Sequence, residues 1–128
     1  MANILIVDDV ADTCAMLKRL FARCGHAVSC LFEGSGVVEA LRRQRFQLVL
    51  LDVMMPGMDG FAVLGAIRGD GDPEVAAVPV AMYSATSDPK AMERALALGA
   101  NEWIVKGTPF PLLHQRLDRF LEPGPTAA

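Results

Sequence analysis

Basic residues are scarce in this sequence, and they form no dense segment. The 128 residues include 12 Lys and Arg against 15 Asp and Glu, which gives a formal net charge of −3 and a pI near 5.3. The densest basic cluster is Arg42-Arg43-Gln44-Arg45, which we expect to cover a solvated helix face. Because nucleic-acid-binding domains concentrate positive charge, this composition argues against direct contact with nucleic acid.

Long hydrophobic runs are also lacking. No apolar segment approaches the roughly 20 residues that span a bilayer. The start, Met1-Ala2-Asn3-Ile4, lacks the basic and apolar segments of a signal peptide. We therefore expect a cytoplasmic protein with no membrane partner. A hydrophobic content of 52% and a charged content of 21% predict an ordinary globular protein, and the length predicts one domain.

Cysteine and histidine are too few, and too scattered, to suggest a familiar site. The cysteines, Cys14, Cys24 and Cys30, are odd in number and lack metal-ligand spacing. This pattern predicts reduced, mostly buried thiols in a reducing cytosol. The sequence has only two histidines, His26 and His114. It therefore indicates neither a His/Cys metal cluster nor a Ser-His-Asp arrangement.

Short apolar runs alternate with amphipathic segments along the chain. The predicted strands are 3–7, 27–31, 47–51, 78–82 and 102–105. The predicted helices are 11–24, 36–45, 60–68, 89–98 and a last one from Thr108-Pro109 to Leu121, with a flexible loop at 69–73. Fivefold (βα) alternation predicts an α/β fold of the flavodoxin-like doubly wound class, with a five-stranded parallel sheet in the order 2-1-3-4-5. One domain is expected over 1–121, and 122–128 are expected to be a linker-like, disordered tail.

Acidic residues close two of the apolar runs. Asp8 and Asp9 end the first strand, and Asp52 ends the third. Those strands are neighbours in the predicted order, so the three carboxylates should meet at the carboxyl edge of the sheet. Like charges about 4 Å apart repel by about 4 kcal/mol at an effective dielectric near 20. A cation is therefore expected there, and all-oxygen ligands favour a hard ion such as Mg²⁺.

The fourth and fifth strands add two more functional groups to this edge. Ser84 follows the fourth strand and supplies a hydroxyl, and Lys106 follows the fifth and supplies an ammonium. Three carboxylates, a hydroxyl and a lysine at successive strand ends indicate one functional site.

With these residues in place, the sequence resembles the receiver domain of two-component response regulators, close to the small chemotaxis regulator. The resemblance covers roughly residues 3–121. The matching stretches are Ile4-Leu5-Ile6-Val7-Asp8-Asp9, Leu51-Asp52-Val53-Met54-Met55-Pro56-Gly57-Met58-Asp59-Gly60, Ser84-Ala85 and Trp103-Ile104-Val105-Lys106.

The resemblance implies a phosphorylation-controlled signalling switch. Asp52 would accept a phosphoryl group from a histidine kinase or a histidine phosphotransfer protein, and Ser84 and Lys106 would contact that group. The chain would lose it slowly by autodephosphorylation and would not be an enzyme in the ordinary sense. The groups implied to hold Mg²⁺ are Asp8, Asp9, Asp52 and the backbone carbonyl of Met54. The helix after strand four, strand five and the last helix would form the output face for a downstream partner, an output domain or a second copy.

Three positions depart from the family pattern. Gly107 follows Lys106, where the family usually has a proline with a cis peptide bond, so we expect a longer and looser loop. Trp103 replaces the usual rotating tyrosine or phenylalanine, and we expect it to stay partly exposed as a contact anchor of the output face. Ser84 occupies a position where the family also commonly has threonine, so this is a mild change.

Three other functions are compatible with parts of the sequence. A receiver-like interaction module that signals without phosphorylation is the main alternative, supported by Gly107 and Trp103. A haloacid-dehalogenase-like phosphotransferase is disfavoured because Met54 stands where that family needs a second acid. A flavodoxin relative is disfavoured because the acidic loop 8–12 would repel a phosphate. Whether the chain is stand-alone or part of a longer regulator stays open.

Overall fold

Five parallel strands form a sheet in the order β2-β1-β3-β4-β5, as predicted. The computed structural model describes residues 1–121, and the tail predicted at 122–128 lies outside the described residues. The strands are β1 Asn3–Val7, β2 Ala27–Leu31, β3 Leu48–Asp52, β4 Val80–Ser84 and β5 Glu102–Val105. The first, second and fifth agree with the sequence prediction.

Within residues 1–121, five helices and one short 3₁₀ turn lie between the strands, and a sixth helix follows β5. The helices are α1 Ala11–Arg23, α2 Val37–Arg43, α3 Gly60–Arg68, α4 Pro73–Ala76, α5 Pro89–Ala97 and α6 Phe110–Leu121, and the 3₁₀ turn is Gly34–Gly36. Among the residues that the structure describes, none of these helices is long and apolar enough to cross a membrane.

The short helix α4 differs from the sequence prediction, which has a flexible loop at 69–73. Asp72 accepts a hydrogen bond from the Glu74 N–H at 2.9 Å, and Pro73 occupies the first turn. The same cap-and-proline signature was read correctly at Asp88-Pro89, where the Asp88 carboxylate accepts from Ala91 N–H. The equivalent Asp72-Pro73 signature lies in a glycine-rich stretch, and the glycines favour the prediction of a loop.

The start of β4 also differs from the prediction, which placed the strand at 78–82. Pro79 lies just before the strand, and its carbonyl accepts from Val49 N–H at 2.9 Å. Because proline has no N–H to donate, it fits at the entrance of a central strand. The shift carries Ser84 to the last position of β4.

Two hydrophobic cores lie on opposite faces of the sheet. Leu5 and Val7 of β1 face the core shared with α2 and α3, whereas Ile4 and Ile6 face the core shared with α1 and α6. All residues of β3 and β4 are buried. Central parallel strands covered on both faces read as continuous apolar runs, which explains the strong signal in the sequence.

The cysteines differ from the sequence expectation. Cys14 of α1 and Cys30 of β2 form a disulfide with their Cα atoms 6.3 Å apart, within the usual range for such bonds. Cys24 is free and exposed. The prediction of three reduced, mostly buried thiols was therefore wrong. Counting cysteines cannot show that α1 folds back against β2 and brings two residues 16 positions apart into contact.

Candidate phosphorylation site

Three carboxylates meet at the carboxyl ends of β1 and β3. Asp8, Asp9 and Asp52 each place an oxygen within 4.8 Å of the others. The parallel pairing of β1 with β3 matches Val7 with Leu51, so the acids that follow these residues come side by side. Asp8 and Asp52 are buried, whereas Asp9 is exposed.

Lys106 reaches into this cluster from the end of β5. Its Nζ lies 3.1 Å from Asp8 Oδ2 and 3.3 Å from Asp52 Oδ2. Burial alone would lower the pKa of Lys106, but its contacts with the two carboxylates outweigh burial and raise that pKa. The lysine is thus a firmly held positive charge beside the two buried acids.

Asp52 carries an unusual proton affinity for an aspartate. Its pKa is raised to about 6, chiefly by burial and then by the neighbouring charge of Asp8. Lys106 and the Met54 N–H act in the opposite direction without cancelling the rise. Burial and repulsion thus keep the carboxylate less well stabilised than it would be in water, which suits a reactive nucleophile.

Asp8 has one oxygen that lacks a hydrogen bond. Its Oδ1 accepts from the Val10 N–H at 2.9 Å. Its Oδ2 is buried and has the Lys106 ion-pair contact, but no described group hydrogen-bonds it. A buried carboxylate oxygen of this kind, beside two further acids, fits a hard cation that takes oxygen ligands. Asp8, Asp9 and Asp52 therefore suit Mg²⁺ on their donor chemistry.

The loop after Asp52 explains the Asp59-Gly60 pair of the sequence motif. Asp59 caps α3 by accepting from Ala62 N–H at 2.9 Å. A Cβ on Gly60 would lie 2.4 Å from the backbone oxygen of Asp52, so only glycine lets α3 begin this close to the site. Within the same loop, Met54 N–H donates to Asp52 Oδ1 at 3.3 Å, and the Met54 side chain is 74% exposed.

Ser84 and its loop complete the edge of the site. Tyr83 pairs with Asp52 across β3 and β4, so Ser84 lies one residue beyond the acid. Its side chain is buried, and its Oγ accepts from the Thr86 N–H at 3.2 Å. The Ser84 carbonyl accepts from Lys106 N–H. The structure thus brings every predicted reactive side chain to one edge.

Trp103 differs from the expectation that it would be partly exposed. It is only 5% exposed, and it belongs to the core between the sheet and α3 and α5. Its indole N–H donates to the Thr86 carbonyl at 3.0 Å, which supplies the partner that a buried indole needs. The prediction of exposure was wrong because a backbone carbonyl acceptor cannot be read from the sequence.

The turn after Lys106 also differs from the expected loose loop. Gly107 has a φ of +94°, a conformation that glycine adopts easily. The N–H and hydroxyl of Thr108 both donate to the Val105 carbonyl, at 3.1 and 2.6 Å. No peptide bond among residues 1–121 is cis. The turn is tight, and glycine replaces the cis-proline geometry with a left-handed one.

Comparison with known proteins agrees with this geometry. The response regulator receiver domain model matches residues 4–118. The chain belongs to the response regulator receiver domain family. Receiver domains are phosphoacceptors that act as phosphorylation-controlled switches in two-component signalling, and they are not enzymes in the ordinary sense.

The sequence relatives include transcriptional regulatory proteins. The chain is 32% identical over 119 residues to the transcriptional regulatory protein ZraR of Salmonella typhimurium, covering 93% of this chain and 26% of ZraR. It is 31% identical over 124 residues to AfsQ1 of Streptomyces coelicolor, covering 97% of this chain and 53% of that protein. The chain thus spans from about a quarter to about half the length of these curated relatives.

Solved structures of similar receivers cover almost the same length. The chemotaxis protein CheY4 of Vibrio cholerae superposes with a TM-score of 0.87 at 28% identity, covering 94% of this chain and 99% of CheY4. The response regulator TrrA of Thermotoga maritima, solved in complex with Mg²⁺ and BeF, gives a TM-score of 0.82 at 26% identity. That alignment covers 94% of this chain and 100% of TrrA.

Proposed function

We propose that Asp52 accepts a phosphoryl group from a phosphohistidine of a histidine kinase or a histidine phosphotransfer protein. The observation that carries the proposal is the convergence of Asp8, Asp9 and Asp52 around the ammonium of Lys106. The raised pKa of Asp52, about 6, leaves its carboxylate ionised at neutral pH while burial limits its solvation. A carboxylate that is ionised but poorly solvated suits the role of nucleophile.

The transfer is an in-line displacement at phosphorus. An oxygen of the Asp52 carboxylate forms a new P–O bond as the P–N bond of the phosphohistidine breaks. The electron pair of that bond leaves with the imidazole nitrogen. Lys106, already beside Asp52, then pairs with a phosphoryl oxygen, and the Ser84 hydroxyl donates to another. Positioning and charge neutralisation supply most of the catalysis in such transfers.

Mg²⁺ is the proposed cofactor of the acidic cluster. Asp8, Asp9, Asp52 and the backbone carbonyl of Met54 would hold it. When bound, the ion neutralises charge between the nucleophile and the phosphoryl oxygens. The buried Asp8 Oδ2, which has the Lys106 ion pair but no hydrogen-bond donor among the described residues, supports this assignment.

The output face is formed by α5, β5 and α6. Phosphorylation draws Ser84 toward the phosphoryl group, and Thr86 transmits that movement to Trp103 through the indole hydrogen bond. A cleft of about 120 Å³ on this face is lined by Trp103, Leu96 and Arg116 among others. Leu96 is 62% exposed, so it replaces Trp103 as the proposed apolar contact for a partner, an output domain or a second copy.

Phosphotransfer from the histidine kinases of the source organism tests this function. A cognate kinase should lose its label while the chain gains it, and Asp52→Asn should gain none. An Asp12→Asn variant serves as the matched control, because Asp12 is an exposed acid of α1. Output without labelling of Asp52 would instead support the interaction module. The cytoplasmic location expected from the sequence stays a prediction.

A further inference from the structure

The Cys14–Cys30 disulfide lies directly beside the loop that carries the metal-binding acids. Cys14 N–H donates to the Val10 carbonyl at 3.3 Å, and Val10 N–H donates to Asp8 Oδ1 at 2.9 Å. Asp8 N–H in turn donates to the carbonyl of Leu31, which follows Cys30. The disulfide closes this series of hydrogen bonds into a ring that runs through the acidic loop.

Outside this ring, the loop is held at Asp8 by the Lys106 ion pair, whereas the start of α1 lacks a capping side chain. Val10, the N-cap residue of α1, makes no side-chain cap hydrogen bond, so the helix begins without the usual support. In the sheet formed by the described residues, β2 is an edge strand that pairs with β1 alone. A covalent link between α1 and β2 therefore restrains both sides of the Asp8–Asp9 loop at once.

We propose that Cys14 and Cys30 form a reversible thiol–disulfide exchange site whose oxidation orders the Asp8–Asp9 loop and thereby strengthens cation binding beside Asp52. The consequence at Asp52 rests on the proposed function, whereas the pairing and the loop ordering do not. The reactants are a small disulfide, such as glutathione disulfide, for oxidation and a thiol or protein dithiol for reduction.

Oxidation begins at the more exposed of the two cysteines. Cys30 is half-buried, whereas Cys14 is 1% exposed. The Cys30 thiolate attacks the small disulfide, forming a mixed disulfide and releasing one thiolate. The Cys14 thiolate then attacks the Cys30 sulfur, forming the Cys14–Cys30 bond and releasing the second thiolate. The two protons lost by the cysteines end on the two released thiols.

The third cysteine supplies a control. Cys24 lies ten residues beyond Cys14 at the other end of α1, which places it about 15 Å away along the helix axis. It is exposed and free. Its replacement should leave the exchange between Cys14 and Cys30 unchanged.

The test compares the full chain equilibrated in oxidised and in reduced glutathione, with peptide mapping to identify the linked cysteines. NMR-detected hydrogen exchange of the Val10 and Cys14 amides reports loop order without reference to metal. A Mg²⁺ titration reports the consequence at the site. The variants are Cys30→Ser, at the half-buried position, and Cys24→Ser as the control.

Oxidation should slow exchange of both amides by about fivefold or more in wild type and Cys24→Ser, and should tighten Mg²⁺ binding by roughly fivefold. Cys30→Ser should behave like the reduced wild type in both buffers. Equal amide exchange or equal Mg²⁺ affinity in the two redox states, or a disulfide that contains Cys24, would overturn the proposal. Failure of reduced glutathione to reduce the Cys14–Cys30 disulfide would also overturn the proposal. If neither redox state binds Mg²⁺, the proposed function fails, and slower exchange would still support ordering of the loop.

Discussion

The indole N–H of Trp103 donates a hydrogen bond to the backbone carbonyl of Thr86 at 3.0 Å. This contact joins β5 to the loop that begins at Ser84, and it holds the aromatic side chain in the core rather than at the surface. The aromatic position of this receiver is therefore already inward, and it is coupled to the Ser84 loop by a bond that a phenylalanine could not make.

Trp103→Phe should lower the free energy of unfolding by about 1 kcal/mol or somewhat more, because it removes the indole hydrogen bond and reduces packing. Trp103→Ala should cost about 3–5 kcal/mol, as expected for truncating a large core side chain. Urea unfolding followed by circular dichroism measures both. Leu96→Ala is the surface control and should change stability by no more than about 0.5 kcal/mol. Near-normal stability of Trp103→Ala would show that the side chain is not part of the core.

Asp52→Asn should stabilise the folded protein at neutral pH. The pKa of Asp52 is raised to about 6 in the fold, chiefly by burial. Protonation therefore favours folding, and this contribution is complete below the unfolded pKa near 3.8 and lost as the pH rises through about 6. Removing the charge should add about 1–3 kcal/mol at pH 7.5.

The pH dependence supplies the check on that prediction. The stability gap between Asp52→Asn and wild type should shrink steadily from pH 7 toward pH 4 in denaturant unfolding without metal. Asp12→Asn, at an exposed acid, should show no comparable gap. A gap that grows on acidification would mean that the pKa of Asp52 is lowered rather than raised.

Lys106→Met should make the protein more dependent on divalent cation. The ammonium lies 3.1 Å and 3.3 Å from the two buried carboxylates, so its loss leaves Asp8 and Asp52 without a positive charge. We expect a loss of about 3 kcal/mol or more without metal. Binding of Mg²⁺ stabilises the folded state by mass action. Because the two carboxylates lack the lysine charge in Lys106→Met, added Mg²⁺ should raise the melting temperature more in this variant than in wild type.

Thermal melts across a Mg²⁺ series test this, with Lys18→Met as the control because Lys18 is an exposed lysine of α1. The control should follow wild type at every concentration. An equal Mg²⁺ shift in Lys106→Met and wild type would indicate that the ion binds away from the lysine.

Met54→Asn should speed loss of the phosphoryl group several-fold. The long side chain of Met54 is exposed beside Asp52, where it can cover the acyl phosphate against water. Thr86 is poorly suited to orient a water for attack on the acyl phosphate, because its hydroxyl already accepts a hydrogen bond from Asp88 N–H at 3.1 Å. The half-life of the phosphorylated chain after removal of the donor measures this effect.

Met16→Asn, at another exposed methionine, should leave the half-life unchanged. An unchanged half-life in Met54→Asn as well would refute shielding by that side chain.

Strand order and the main site residues were accessible from the sequence because they depend on strong local signals. The buried strands β1 and β3 are continuous apolar runs, and topology then places Asp8 and Asp52 together. Features that depend on backbone atoms or on contacts between distant segments were not accessible. The Thr86 carbonyl gives no side-chain signal, and the Cys14–Cys30 pairing depends on how α1 packs against β2.

Local signals were also missed where composition concealed them. Asp72-Pro73 caps α4 within a glycine-rich stretch that was read as a loop. The absence of proline after Lys106 predicts a loose turn, but the sequence does not show the conformation of Gly107. Its left-handed conformation and the Thr108 hydrogen bonds keep it short.

The most direct measurement is to incubate the chain with acetyl phosphate or phosphoramidate, with and without Mg²⁺, and to map the modified peptide by mass spectrometry. The proposed switch predicts one phosphoryl group, carried by Asp52, formed only with Mg²⁺ and absent from Asp52→Asn. A label on Asp12 or Asp59, or equal labelling of Asp52→Asn and wild type, would contradict it.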